Sequence, residues 1–358
     1  MLILHIGSVA NESGGVTSVA RELCRWQLPG VEQRLLPTTR RRGRFDDLRL
    51  VLRAVLRIWR HGRHAVVHAH VTQGGFWREG VVLHAARLRG AGRVVHVHGS
   101  SFSTYVRAHP RLAMFVLGPA SIVVTLSEEA TQAVPWVRPT ATVRLVHNTC
   151  DLPPSSDFAG GAERRDVVSF VGEVGHRKGV DLLLGAWAMI GPERRGWTLE
   201  LVGPAESRMT AEMIKDAASR DPSITWTGHL PREAVLGRLA TARLVVLPSR
   251  AEAFPMSLLE GMASGAIPVA TEVGGVRRQI GDAGFVCRPE DPAALAGCLK
   301  QAILLASGPD GASASERAAR RAEVTWSTER LQGLLLAAWA EAFRPARSPS
   351  GRTTSSGR

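Results

Sequence analysis

Glu252 and Glu260 stand eight positions apart in PSRAEAFPMSLLE, residues 248–260. A β-branched run ending at Pro248–Ser249 predicts a strand there, and Pro255 predicts the opening of a helix that carries Glu260 about two turns on. Glu252 then sits on the strand-end loop and Glu260 on the helix. Both can face a ligand lying over the helix N-terminus, where free N–H groups and the macrodipole attract phosphate. Carboxylates accept hydrogen bonds from hydroxyls, such as a ribose diol or the ring hydroxyls of a sugar. A nucleotide sugar offers both groups. On spacing alone the pair also describes two acids with unrelated partners, so the neighbouring residues decide.

Twelve histidines include His68-Ala69-His70 and His96-Val97-His98. Each H-x-H on a strand puts both rings on one face and can chelate, but third and fourth ligands are not evident in the sequence, so no metal site is expected. Nucleophilic catalysis has no G-x-S-x-G elbow, and phosphate binding has no Walker A loop. Cys24, Cys150, Cys287 and Cys298 are scattered without finger spacing. They predict neither a disulfide framework nor structural zinc, and a reducing, cytoplasmic compartment.

The elements that must position these groups alternate. Strands are predicted at Leu2–Ile6, Glu32–Leu36, Val66–Ala69, Val94–Val97, Ile122–Leu126 and Val143–Val146. They recur at Val167–Val171, Leu199–Val202, Ile224–Thr227, Leu244–Leu247, Pro268–Ala270 and Phe285–Cys287. Helical patterns fall at 15–28, 46–61, 75–89, 104–117, 179–190, 206–219, 231–241, 256–264 and 291–306. Such alternation needs crossover connections, hence an α/β protein with two open parallel sheets. The Pro/Ser/Gly-rich stretch LPPSSDFAGGAERR separates them. The expected organisation is a first Rossmann-like domain over 1–152, a linker over 153–165 and a second domain over 166–310. C-terminal helices over 311–343 pack on the domains, and a basic, disordered tail follows over 344–358. Ligands bind beyond the carboxyl ends of such strands, so two facing domains create a cleft. His98 ends Val94–Val97 and faces it.

The length of 358 residues suits two domains, and 44% hydrophobic against 22% charged residues is globular. No apolar run reaches membrane-spanning length, and MLILHIGSV has no signal-peptide pattern. The net charge of +13 is uneven: residues 1–150 carry +12, residues 151–342 carry −3 and the tail carries +4. The basic first half points to an anionic partner. Arg40, Arg41, Arg42 and Arg44 precede a helix in which Arg49, Arg53 and Arg57 form a basic stripe, with Leu48, Val51, Leu52 and Val55 as an opposing apolar stripe extended by Ile58 and Trp59. Residues 40–60 are therefore an expected contact with an anionic membrane surface. Nucleic acid is not an expected partner, because no helix-turn-helix, zinc finger or aromatic RNA-binding strand is present.

The string holding Glu252, Glu260, Gly265 and Gly274–Gly275 resembles the donor-site signature of family 4 retaining glycosyltransferases, enzymes of two Rossmann-like domains (the GT-B fold). Gly14-Gly15-Val16, His98-Gly99, Asn148, FVGEVGHRKGVDLLLGAW (170–187), LVG (201–203) and TGHLPREAV (227–235) stand in family order. The resemblance covers residues 1–300. It implies transfer of a sugar from a nucleoside diphosphate donor to an acceptor hydroxyl, without a metal or other cofactor. The acceptor would be a saccharide, a lipid-linked glycan or a small molecule in polysaccharide, glycolipid or glycoconjugate synthesis. Glu260 would hold the ribose, Glu252 with Ala253 and Phe254 the sugar, and the backbone N–H groups of Met256, Ser257 and Leu258, which follow Pro255 in the donor-binding set, the diphosphate.

By the same resemblance, Arg177 and Lys178 neutralise the departing diphosphate beside Gly172. Gly14 and Gly15 allow close backbone approach, and His98 contacts the donor sugar. Lys178, Glu252 and His98 are thus the expected catalytic set. One departure stands out: Glu173 replaces the Arg that many relatives carry after FVG. It either points away or pairs with Arg177, and His176 or Arg177 supplies the missing positive charge. The rival readings are a non-catalytic nucleotide-sugar-binding scaffold and a nucleic-acid-binding protein.

Overall fold

Two six-stranded parallel sheets form in a computed structural model that describes residues 1–8, 15–39, 44–72, 76–149 and 164–343. Gly14, Arg40, Arg41, Arg42, residues 153–163 of the expected linker and the tail 344–358 lie outside the described residues. The first sheet contains β1 (Leu2–Ser8), β2 (Glu32–Thr39), β3 (Ala65–Val71), β4 (Gly92–Val97), β5 (Ile122–Thr125) and β6 (Thr142–Leu145). The second contains β7 (Arg165–Val171), β8 (Thr198–Val202), β9 (Ile224–Gly228), β10 (Ala242–Leu247), β11 (Ile267–Thr271) and β12 (Phe285–Cys287). Every predicted strand is present.

The strand order is β2-β1-β3-β4-β5-β6 in the first sheet and β12-β11-β10-β7-β8-β9 in the second. The direction of winding therefore reverses between β1 and β3, and again between β7 and β10. Connections on either side of such a reversal leave on opposite faces and open a crevice at the carboxyl ends of the strands. That crevice receives Lys178 from beyond β7 and Glu252 from beyond β10.

The first domain carries α1 (Gly15–Arg25), α2 (Arg44–His61), α3 (Phe76–Leu88), α4 (Phe102–Ala108), α5 (Pro110–Leu117) and α6 (Glu128–Val137). The predicted helix over 104–117 is two, because Pro110 disfavours helical backbone at His109, which sits at φ −131°, ψ 57°. The helix α6 was not legible: Pro135 lies inside it and masks a start capped by Ser127, whose Oγ accepts from the Ala130 N–H at 3.2 Å. The second domain carries α7 (Val180–Ile190), α8 (Arg208–Arg220), α9 (Arg232–Thr241), α10 (Met256–Ala263), α11 (Val276–Ile280), α12 (Pro292–Ser307) and α13 (Gly311–Thr325).

The last helix, α14 (Thr328–Phe343), returns to the first sheet. Its Leu331, Leu335, Ala338, Trp339 and Ala342 join Ile3, Val66, Val94, Ile122 and Val124 in one apolar cluster. Trp339 is fully buried there, and its Nε1–H donates to His68 Nδ1 at 3.2 Å. The opposite face of the same sheet packs Val67, Ala69, Val95 and Val123 against Ala54, Ile58, Val82 and Leu83. No helix among the described residues is long and apolar enough to cross a membrane.

Candidate active site

A cavity of about 710 Å³ lies between the carboxyl ends of the two sheets. That size accommodates a nucleotide-sized ligand. Of the residues singled out from the sequence, His98, Gly172, Arg177, Lys178, Glu252, Phe254, Pro255, Met256, Ser257 and Glu260 line it. Gly15 begins α1, whose Val16, Thr17 and Val19 line the other wall. Leu258 differs: its side chain is wholly buried in the core of the second domain, so only its backbone in the first turn of α10 is available to a ligand.

The strand end of β10 builds the acidic side. Glu252 is buried, and its Oε1 accepts from Lys178 Nζ at 2.6 Å and Ser249 Oγ at 2.8 Å. Arg177 Nη1 lies 3.7 Å from the same oxygen and donates to the Ala251 carbonyl at 3.2 Å. The Gly274 of the signature holds this loop. It sits at φ +52°, and a Cβ there would lie 1.8 Å from the Glu252 carbonyl oxygen, so only glycine permits the approach. The next residue, Gly275, donates its N–H to the Ala253 carbonyl at 2.9 Å.

The cationic turn is fixed against the same loop. Gly179, at φ +70°, caps α7 with its Cβ position 1.9 Å from the Pro248 carbonyl oxygen. Arg250 closes the arrangement. Its Nη1 and Nη2 donate to the two Asp181 oxygens at 2.8 Å each, its Nε donates to Glu290 Oε1 at 2.7 Å, and its backbone N–H donates to the Arg177 carbonyl at 2.9 Å. These bonds hold the Asp181 carboxyl below its usual range and the Arg250 guanidinium more basic than usual. Sequence reasoning missed Arg250 and Asp181, since no spacing rule links them.

Glu260 projects into the cavity from α10 and is buried. Burial raises its pKa, and the guanidinium of Arg232 opposes that rise. Arg232 Nη1 donates to Glu260 Oε1 at 2.6 Å. The stretch TGHLPREAV signalled this region, yet nothing in it marked Arg232 as the partner of Glu260. Glu173 is exposed and lines the cavity, while Arg177 turns to Glu252 and Ala251 rather than to Glu173. Phe254 lines the cavity but its ring stacks on His147 at 4.7 Å and meets Trp326 edge-on at 4.9 Å. Asn148 Nδ2 donates to the Phe254 carbonyl at 3.2 Å. This contact ties the first domain to the signature loop.

The first domain contributes histidines. Strand pairing sets His5 opposite His68 and His70 opposite His96, and with His98 their rings form one neighbouring group. Nitrogens of His5, His68 and His70, and of His70, His96 and His98, lie within 4.8 Å of one another. The third ligands that the sequence did not reveal thus come from adjacent strands. Two of the closest pairs are already hydrogen-bonded, His5 Nδ1 to His70 Nε2 at 3.0 Å and His70 Nδ1 to His98 Nε2 at 2.9 Å. A proton between each pair occupies a lone pair that a metal would require on His5 and on His70. Burial lowers the pKa of all five, so they are neutral at pH 7.

Charged groups thus line one wall of the cavity, and the uncharged imidazole of His98 faces them from the other. Residues 165–304 match the family Glycosyl transferases group 1. Among curated relatives, the chain is 30% identical over 131 residues to the alpha-D-kanosaminyltransferase of Streptomyces kanamyceticus, covering 36% of this chain and 34% of that protein. It is 32% identical over 146 residues to the lipopolysaccharide core biosynthesis mannosyltransferase LpcC of Rhizobium leguminosarum, covering 38% and 40%. The chain therefore spans about a third to two fifths of these relatives. Among solved structures, the Anabaena protein HepE in complex with UDP and glucose superposes with a TM-score of 0.75 at 18% identity, covering 95% of this chain and 99% of that one. The two parallel sheets facing across a cleft are the GT-B fold.

Proposed function

We propose that the protein is a retaining glycosyltransferase that moves a sugar from a nucleoside diphosphate donor to an acceptor hydroxyl without a metal ion. The observation that carries this reading is the convergence of Arg177, Lys178, Glu252, Glu260 and the first turn of α10 on one cavity that His98 faces from the other domain. The diphosphate lies over the N–H groups of Met256, Ser257 and Leu258, where the helix dipole favours negative charge. Lys178, with Arg177, stabilises the charge that grows on the leaving group. Glu260 accepts from the ribose and Glu252 from the sugar, while Ser249 and Lys178 orient Glu252. Positioning and charge stabilisation supply the rate, with departure and attack on the same face of the sugar.

Both acids are held by cations, which leaves the diphosphate to the two basic residues and the helix N-terminus, and this supports the metal-free reading. Incubation with radiolabelled UDP-, GDP-, ADP- and TDP-sugars is the test. UDP-glucose comes first, because HepE is solved with UDP and glucose. Transfer or slow hydrolysis with an unchanged anomeric configuration by NMR, insensitive to EDTA, is the expected result. Binding without turnover would instead make the protein a nucleotide-sugar-binding scaffold. An inverted product would remove retention.

The first domain also supports peripheral attachment at the inner face of the cell membrane, with a lipid-linked acceptor. Helix α2 buries Leu50, Val51, Ala54 and Ile58 but exposes Phe45, Leu48, Leu52, Leu56 and Trp59 along one face. This corrects the expected single apolar stripe: Val51 and Ile58 face the core, whereas Leu48, Leu52 and Trp59 face solvent beside the exposed Arg49, Arg53 and Arg57. An exposed apolar row flanked by arginines suits the boundary of an anionic bilayer. Each arginine near such a surface contributes about 1 kcal/mol. Co-sedimentation with phosphatidylglycerol vesicles but not phosphatidylcholine vesicles, weakened by salt and by Leu52→Glu, is expected. Equal recovery in every supernatant would favour a cytosolic acceptor.

A further inference from the structure

The tautomer of His98 can be read from a group that lies three imidazole contacts away. Gln33 Nε2 donates to the Trp26 carbonyl at 3.2 Å. A carbonyl oxygen only accepts, so the amide is oriented, and its Oε1 must be the atom 2.9 Å from His5 Nε2. An amide oxygen also only accepts, so His5 carries its proton on Nε2. Burial keeps His5 neutral, with its pKa lowered to about 4. Its bare Nδ1 therefore accepts from His70 Nε2 at 3.0 Å. The bare Nδ1 of His70 accepts in turn from His98 Nε2 at 2.9 Å. Each neutral ring has one N–H, so the polarity set at Gln33 propagates to the cleft without ambiguity.

His98 is half-buried and lines the cavity. With Nε2 turned inward to His70, Nδ1 is the nitrogen left for a ligand, and it carries no proton. We propose that Gln33, His5 and His70 are positioning residues that hold His98 as the Nε2–H tautomer, so that Nδ1 accepts a hydrogen bond from a hydroxyl of the sugar in the cleft. The sugar half of this statement rests on the glycosyltransferase reading, whereas the tautomer half does not. A bare nitrogen cannot donate to an anionic oxygen, so this wall selects a neutral, hydroxyl-bearing group and rejects phosphate or carboxylate there. A zinc ion held by His70, His96 and His98 through His98 Nε2 would place the His98 proton on Nδ1, the opposite arrangement.

Long-range ¹H–¹⁵N NMR of the full chain labelled in histidine tests the tautomer, with the His98 signals identified by their loss in His98→Asn. The expected result is a protonated Nε2 and a bare Nδ1. Gln33→Lys presents a donor where Oε1 accepted, and should reverse all three rings and move the His98 proton to Nδ1. Gln33→Leu removes the acceptor without supplying a donor, and should leave His98 with both tautomers populated. With a nucleotide sugar that the wild type turns over, Gln33→Lys should lower kcat/KM about tenfold, the scale of one lost hydrogen bond, while affinity for the nucleoside diphosphate alone stays unchanged.

A wild-type His98 protonated on Nδ1, or no response to Gln33→Lys, overturns the relay. Reversal of the tautomer with kcat/KM unchanged overturns its role toward the sugar. If the wild type turns over no nucleotide sugar while the spectra show the expected tautomer, it is the glycosyltransferase reading that fails.

Discussion

The two walls of the cleft handle polarity in opposite ways. The second domain meets the ligand with formal charges, four of them set in two ion pairs: Lys178 with Glu252 at 2.6 Å, and Arg232 with Glu260 at 2.6 Å. The first domain meets it with one half-buried imidazole, His98, which is backed by the buried His70 and His96, and burial keeps all three uncharged. Charges suit a diphosphate whose own charge changes as it leaves, whereas neutral rings suit hydroxyls. Two parallel sheets thus supply a charged wall and a neutral wall through the residues at their strand ends.

The largest expected effect separates the domains by acid. An unfolded histidine takes up a proton near pH 6.5, but His5 in the fold does so only near pH 4, and His68, His70, His96 and His98 are also lowered. The unfolded state therefore binds more protons in this window, and stability falls as pH drops from 6.5 toward 4. Each histidine that stays neutral contributes a loss of about 1.4 kcal/mol per pH unit. Hydrogen exchange by mass spectrometry at stepped pH should show β1, β3 and β4 losing protection before β7, β8 and β10. His96→Phe, which removes two ring nitrogens that have no hydrogen-bond partner among the described residues, should lower the acid midpoint. Simultaneous loss in both sheets would erase the contrast.

The next effect tests the charged wall. Lys178→Ala should reduce single-turnover rates by about 100-fold or more at saturating donor, the scale of one lost charge-stabilising group. A change confined to KM would reduce Lys178 to ground-state binding. Gly274→Ala sharpens the same point through the backbone: a Cβ cannot fit 1.8 Å from the Glu252 carbonyl, so the loop must move. Turnover should fall by about tenfold or more, since misplacement of a reacting group by an ångström is costly. Unchanged turnover in Gly274→Ala would mean that loop position is not critical.

The smallest effect is a pH dependence at Glu260. Its pKa is raised by burial, so its charge is lost at a higher pH than that of an ordinary carboxyl. Nucleoside diphosphate affinity should therefore weaken as pH falls through that raised value, and Glu260→Gln should flatten the profile. An unchanged slope in Glu260→Gln would place the titration elsewhere.

The inner strands were legible because parallel strands buried on both faces read as short β-branched runs between turn residues, and the less buried edge strands β2, β6, β9 and β12 because turn residues bound them. The charged wall was legible in part, since Arg177, Lys178, Glu252 and Glu260 cluster in two short segments beside strand ends. Its supports were not. Arg250 reaches Asp181 across 69 positions and Arg232 reaches Glu260 across 28, and side-chain convergence at that separation depends on topology. The neutral wall shows the same limit. The two H-x-H pairs were visible on their strands, but His5 joins them only because β1 lies beside β3 and Gln33 lies on the edge strand β2. The apolar face of α2 was misread because a helical period does not say which of two adjacent stripes meets the sheet.

Calorimetry of UDP, GDP, ADP and TDP with the wild type and with Glu260→Ala tests the central claim most directly, that the cleft binds a nucleoside diphosphate through its ribose. Hydrogen bonds to a charged group contribute about 1.5–3 kcal/mol. At least one of the four should bind the wild type, and Glu260→Ala should weaken that binding by about 10- to 100-fold. Equal affinity in a folded Glu260→Ala protein, or no binding of any of the four to the wild type, would contradict that claim.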